Sequence, residues 1–256
     1  MVLGIDVGNT SIVLGCIEGS KICFTERLST DIKKTDLEYA VLIKTILEIH
    51  GAESGDIKGC IISSVVPPLT QILKTAINKL LKISALIVGA GLKTGLNIRL
   101  DDPASMGADL VVDSVAGMAE YGAPLIIVDM GTATTITVLD KNSDYIGGAI
   151  LPGVQVSLES LVSGTSLLPR VSFDAPKKVI SSNTLDSVKS GIIYGQASQI
   201  DGMIDRFEAE LGYNAALVAT GGLAQVIIPL CKHEIIIDND LMLKGLKILY
   251  DKNSNR

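Results

Sequence analysis

Ile5-Asp6-Val7-Gly8-Asn9-Thr10 and Val128-Asp129-Met130-Gly131-Thr132-Ala133 are the two stretches that decide the fold. Each ends an apolar run on an Asp-x-Gly turn and opens onto another apolar run. The two aspartates lie 123 positions apart, close to half of the 256 residues. Working outward from the first turn, residues 2–6 and 11–17 read as strands, and Glu18-Gly19-Ser20 turns the chain into a third strand at 21–27. Around the second turn the order repeats, with strands at 125–129, 135–139 and 145–150 and a polar turn at Asp140-Lys141-Asn142-Ser143-Asp144. Such self-similarity predicts two structurally related halves, each led by a β-meander.

Helix signals complete both halves. Thr35 and Glu38 have capping-box spacing before an apolar helix that reaches His50, and Gly51 supplies the stop. A strand at 60–66 follows. After Pro67-Pro68, the apolar residues Leu69, Ile72, Leu73, Ala76, Ile77, Leu80 and Leu81 keep the i, i+3, i+4 rule of a helix with one buried face. The second half reads as helical at 184–211, strand at 215–219, a turn at Thr220-Gly221-Gly222 and a last helix at 240–250. The expected fold class is therefore α/β, two similar lobes of meander-led mixed sheet with flanking helices. The lobes are expected at 1–118 and 119–256, with a last helix able to pack back on the first.

An Asp-x-Gly turn at a strand end can carry phosphate chemistry. Glycine lets a ligand approach the backbone, neighbouring N–H and hydroxyl groups donate to phosphate oxygens, and the aspartate can hold a hydrated Mg²⁺. One such turn alone reads as an ordinary hairpin; two at matching positions favour a shared polyphosphate ligand. The chain has no Gly-x-x-x-x-Gly-Lys-Ser/Thr run, and neither turn is a Gly-x-Gly-x-x-Gly opening a helix.

Composition narrows the function classes. With 28 acidic and 22 basic residues the net charge is −6, and the nine aromatics include no tryptophan, which argues against nucleic acid as a partner. A mean hydropathy of +0.43 fits buried sheets. The absence of a basic leader or an uninterrupted apolar span leads us to expect a cytoplasmic protein without a membrane partner. Cys16, Cys23, Cys60 and Cys231 lack Cys-x-x-Cys spacing and read as reduced residues. His50 and His233 are too few for a zinc site or a Ser-His-Asp triad, so a catalytic base would be a carboxylate.

The paired turns resemble those of the superfamily of acetate and sugar kinases, heat-shock chaperone ATPases and actin, and within it the chain resembles type III pantothenate kinases. The resemblance runs through the two turns already quoted, Ile62-Ser63-Ser64-Val65-Val66-Pro67, Gly107-Ala108-Asp109, Gly147-Gly148-Ala149-Ile150-Leu151-Pro152-Gly153, Leu168-Pro169-Arg170 and Thr220-Gly221-Gly222-Leu223. It implies actin-like lobes that close on ATP, and ATP-dependent phosphorylation of pantothenate to 4′-phosphopantothenate, the first step of coenzyme A synthesis. Asp6, Val7, Gly8, Asn9, Thr10, Ser11, Ile12 and Val13 would form the first ATP-phosphate loop, with Asp6 near Mg²⁺. Gly131 and Thr132 would contact ATP, and Asp129 would bind a monovalent cation, K⁺ or NH₄⁺. Gly107, Ala108 and Asp109 would line the pantothenate pocket together with Leu100 and Leu110, and Thr184 would reach it from the other subunit of a homodimer. Asp109 matches the family's proton acceptor, a role that suits a carboxylate able to orient and deprotonate a primary hydroxyl.

Two positions depart from the family pattern. Leu110 stands where arginine ordinarily follows Gly-x-Asp, and Leu100 where a substrate-contacting tyrosine is expected. Both changes make that wall less polar, and Arg99 and Arg170 are the candidates to compensate. The sequence thus also admits a kinase of the same fold for another small alcohol, or a non-catalytic nucleotide-binding regulator.

Overall fold

The computed structural model describes residues 1–254. In chain order the elements are β1 (Val2–Val7), β2 (Ser11–Glu18), β3 (Lys21–Ser29), α1 (Asp36–Ile49), β4 (Gly59–Ser64), α2 (Pro67–Leu81), β5 (Leu86–Ile87), β6 (Asn97–Ile98), α3 (Ala108–Tyr121), β7 (Leu125–Met130), β8 (Ala133–Leu139), β9 (Asp144–Pro152), α4 (Val154–Ser163), α5 (Thr184–Leu211), β10 (Ala216–Thr220), α6 (Ala224–Ile227), β11 (Ile236–Ile237) and α7 (Leu241–Ser254). They divide into two compact units. The first holds residues 1–96, 101–116 and the segment from Asp240 onward; the second holds 97–100 and 117–239. Chain crossings are therefore more numerous than a single cut after residue 118 implies.

The first unit is built on the sheet β3-β2-β1-β4-β5. β1 pairs antiparallel with β2 and parallel with β4, so a hairpin and a crossover share one central strand. One face carries Leu3, Ile5, Val7, Ile12, Leu14 and Ile62 into a core with α1 and α2. α1 starts where the sequence predicts: the Thr35 hydroxyl accepts from Glu38 N–H, and the Glu38 carboxylate accepts from Thr35 N–H at 2.8 Å. On the opposite face Ile17, Ile61 and Val88 pack with Val112 and Val115 of α3 and with Leu243, Leu246 and Leu249 of α7. The close approach of α7 depends on Gly15, where any Cβ would overlap the Leu243 side chain.

The second unit repeats the order as β9-β8-β7-β10-β11, with β6 added beside β9. Ile126, Val128, Met130, Ile136 and Val138 face α4, α5 and α6 in its core. The repetition extends to register. Val7 pairs with Ile12 across the first turn and Met130 with Thr134 across the second, so the second turn is one residue shorter. Ala133 consequently takes the place of Ser11 rather than of Thr10. A register shift falls between Cys16 and Ile17 and recurs between Val138 and Leu139, the matching positions of β2 and β8.

The α/β class with two similar meander-led sheets is what the sequence predicts. The differences are of detail, the short β5, β6, α6 and β11 among them. β4 ends at Ser64, two residues early, because Pro67 has no N–H to continue the ladder and opens α2 at its first position. α3 and α4 are helices that the sequence reading leaves out. Among the described residues, no helix is long and apolar enough to cross a membrane.

Candidate active site

Cross-strand partners project to the same face of a sheet, so the pairing registers place side chains in rows. In the first unit one row runs Arg27 on β3, Val13 on β2, Asp6 on β1 and Ser63 on β4. In the second unit the equivalent row is Ile150 on β9, Thr135 on β8, Asp129 on β7 and Thr220 on β10. Each Asp-x-Gly aspartate is thus flanked by a buried hydroxyl residue on the neighbouring parallel strand.

Asp6 is the next-to-last residue of a strand whose other residues are all buried. Burial raises its pKa from 3.8 to about 6, and the negative charge of Asp109 adds to the rise; the Ser63 hydroxyl, Arg27 and the Val7 N–H oppose it. The turn beyond Asp6 is braced from within and from β3. Gly8 N–H donates to Ser11 O at 3.0 Å, the Thr30 hydroxyl donates to Gly8 O at 2.7 Å, and Thr30 N–H donates to Thr10 O at 3.1 Å. Asn9 and Thr10 at the tip are exposed. Val7 and Ile12 lie fully in the core, so of the 6–13 loop these two can offer a ligand only their backbone.

Asp109 lies in the first turn of α3, in the same unit as Asp6 and near enough to influence its charge. A short 3₁₀ turn, Pro103–Ser105, leads into it, with the Asp102 carboxylate accepting from Ala104 N–H at 3.1 Å and Ser105 Oγ donating to Asp102 O at 2.7 Å. The carboxylate folds back so that Oδ1 accepts from Leu110 N–H at 2.8 Å. Gly107 makes room for this, since a Cβ there would overlap Asp109 Oδ1. Burial raises the Asp109 pKa above the usual carboxylate range, with the Leu110 N–H partly offsetting it.

Asp129 lies under the second turn, its two carboxylate oxygens 3.8 and 4.0 Å from where a Gly131 Cβ would stand. Thr132 and Gly131 are exposed. Two motifs distant in sequence support this turn by backbone contact. Gly153 packs against the carbonyls of Gly131 and Thr132, and Gly221, at φ 97°, packs against the backbone of Met130. No other residue type fits either place, which accounts for the Pro152-Gly153 and Thr220-Gly221-Gly222 motifs. The side-chain oxygen of Thr135, beside Asp129 in the row, is buried without a hydrogen-bond partner.

The other predicted residues are spread more widely. Leu110 is half-buried next to Asp109, and Leu100 is half-buried in the second unit near Gly147. Thr184 is the exposed first residue of α5, following Asn183, whose side chain accepts from Asp186 N–H at 2.9 Å. Arg99 is engaged at the surface, donating from Nε to Asp144 Oδ2 at 2.9 Å. His50 stacks on Phe24 and bonds to Glu26, and His233 bonds to Asp205, so both serve structure. Sequence reasoning missed Arg27, Thr30, Thr135 and the placement of Ser63 and Thr220; period-2 alternation through each meander was the signal that could have found the rows.

The profile of the type III pantothenate kinase family matches residues 2–206. A type III pantothenate kinase from Bacillus cytotoxicus is 44% identical over 254 residues, spanning 99% of this chain and 97% of that protein. Among solved structures, a Campylobacter jejuni protein named for the Baf family superposes with a TM-score of 0.61 at 21% identity, over 99% of this chain and 100% of that one. Component A of (R)-2-hydroxyglutaryl-CoA dehydratase from Acidaminococcus fermentans superposes with a TM-score of 0.57 at 15% identity, over 99% and 98%. These two are similar in fold. The profile match and the curated relative reach further: the chain belongs to the type III pantothenate kinase family.

Proposed function

We propose that this chain transfers the terminal phosphoryl group of ATP to the primary hydroxyl of pantothenate, in the cytoplasm, with Asp109 as proton acceptor. The observation that carries the assignment is the Asp109 carboxylate at the start of α3, in the same unit as the Asp6 row and beside the Gly107-Ala108 turn. Its Oδ1 is held by Leu110 N–H, which leaves Oδ2 to take the hydroxyl proton. A pKa raised by burial makes it a stronger base than an exposed carboxylate. Gly107, Ala108, Leu100, Leu110 and Thr184 form the surroundings of pantothenate in this reading.

Asp6 through Val13 receive the nucleotide's phosphates, through the exposed Asn9 and Thr10 and through backbone groups of the braced turn. Asp6, with the buried Ser63 oxygen beside it, is the group suited to Mg²⁺ or its hydration shell, and Mg²⁺ supplies charge neutralisation on the phosphates. Gly131 and Thr132 also contact ATP. The second row offers hard oxygen donors side by side, Thr135, Asp129 and Thr220, and the unpartnered Thr135 oxygen fits a monovalent cation, K⁺ or NH₄⁺. Turnover of MgATP and pantothenate, with product identified by mass, tests the whole reading. Pantothenyl phosphate is expected in K⁺ buffer, with a loss of roughly tenfold or more when Na⁺ replaces K⁺. No such product from the folded protein with K⁺ present overturns the acceptor assignment.

The active form in this reading is a homodimer. Thr184 is exposed, and the segment around it carries exposed apolar side chains that an isolated chain leaves in water: Val179, Ile180 and Leu185. Light scattering at micromolar concentration is expected to give twice the 26.9 kDa chain mass. A fully active monomer would remove the cross-subunit role of Thr184.

A further inference from the structure

The two halves of the molecule act as controls for one another. At the aspartate rows they match in the carboxylate and in the hydroxyl residue on the parallel strand, and they differ on the β2/β8 side. The first has Arg27 across from Val13, and Arg27 Nη1 donates to Ser11 Oγ at 3.1 Å. The register-equivalent positions in the second are Ile150 and Ala133, so both members of that hydrogen bond are apolar there. A bond needed only to hold a meander together would have served either half, yet the second folds to the same register without it.

Building on the kinase reading above, we infer that Arg27 is a phosphate-binding residue of the first turn, aimed by the Ser11 hydroxyl. A guanidinium carries five N–H donors in a planar fork, and the Ser11 contact uses one of them. The residue is exposed, and its positive charge is felt by Asp6. Its strand is two strand spacings, about 10 Å, from that of Asp6, a gap that a polyphosphate lying across the row spans. Ser11 is also the residue whose carbonyl closes the turn on Gly8 N–H, so the guanidinium is fixed to the same turn whose tip is open to ligand. The division of labour between the rows follows from their chemistry: a cation in the first meets an anion, and oxygen donors in the second meet a cation.

Equilibrium binding without pantothenate tests this apart from catalysis. Arg27→Met keeps a long apolar stem, and is expected to raise the Kd for MgATP about tenfold or more while leaving adenosine binding within twofold. Arg27→Lys, which restores charge without the fork, should recover part of the loss, and Ser11→Ala should fall between parent and Arg27→Met. The Tm of each variant is expected to stay within a few degrees of the parent. MgATP binding within twofold of the parent in Arg27→Met overturns the inference, as does an equal loss for adenosine and MgATP, which marks a structural role. A parent that binds MgATP but leaves pantothenate unphosphorylated fails the acceptor assignment alone, and Arg27 is still judged by these binding ratios.

Discussion

Asp109→Asn is expected to retain the fold and MgATP affinity while lowering kcat by about 10² to 10⁴. The amide is nearly isosteric, and its carbonyl oxygen can still accept from Leu110 N–H, so the first turn of α3 keeps its geometry. What it loses is the ability to take the hydroxyl proton as the phosphoryl group arrives. Because burial has lifted the Asp109 pKa, the parent should lose kcat as the pH falls into and below that raised range, where the carboxylate is protonated. The Asn variant should lack that acidic limb altogether. Stability should not suffer, since a buried carboxylate is replaced by a neutral group of the same shape. Measuring kcat against pH together with the nucleotide Kd checks each element. Near-parental turnover, or an unchanged acidic limb, removes Asp109 from proton transfer.

The architecture was legible because both meanders alternate cleanly and end on the same turn. The helices that escaped notice have physical reasons for doing so. α4 reads Val154-Gln155-Val156-Ser157-Leu158, an alternation of period 2 that imitates a strand, and Gly153 offers no capping side chain. α3 begins after Gly107 with no Ser, Thr or Asn signal, and its continuous run Leu110-Val111-Val112 masks the helical period by which Val111, Val112 and Val115 reach one core. The site was legible in part. Asp6, Asp109 and Asp129 stand out as carboxylates in motifs, whereas Arg27 and Thr135 join the aspartate rows through a register that only strand pairing defines. The one-residue difference between the turns also hid the match of Ser11 with Ala133, and with it the contrast between the halves. Gly153 and Gly221 were visible as motifs, but their purpose, close backbone contact with a turn some 20 and 90 residues away in sequence, is purely three-dimensional.

Asp6→Asn is expected to move stability and activity in opposite directions. The folded-state pKa of Asp6, about 6, exceeds its ordinary 3.8, so between those values the folded chain holds a proton that the unfolded chain releases. Stability therefore falls as the pH rises from about 4 to 6, by roughly 1.4 kcal/mol per pH unit, and above that range the charged, buried carboxylate costs up to about 3 kcal/mol. An amide has no such penalty. At pH 7.5, without nucleotide or Mg²⁺, the Asn variant should be the more stable by about 1 to 3 kcal/mol, and at pH 4 the two proteins should be alike. MgATP use should nonetheless fall by about a hundredfold or more, because the neutral side chain no longer attracts the metal or its bound water. MgATP should also raise the Tm of the parent more than that of the variant, since bound Mg²⁺ relieves a charge that only the parent carries. Denaturant melts at pH 4 and 7.5 with parallel kinetics decide the matter. A variant less stable than the parent at pH 7.5 would mean that the Asp6 charge is already compensated within the fold by Arg27 and Ser63, and the proposed demand for a metal at this position would lose its electrostatic basis.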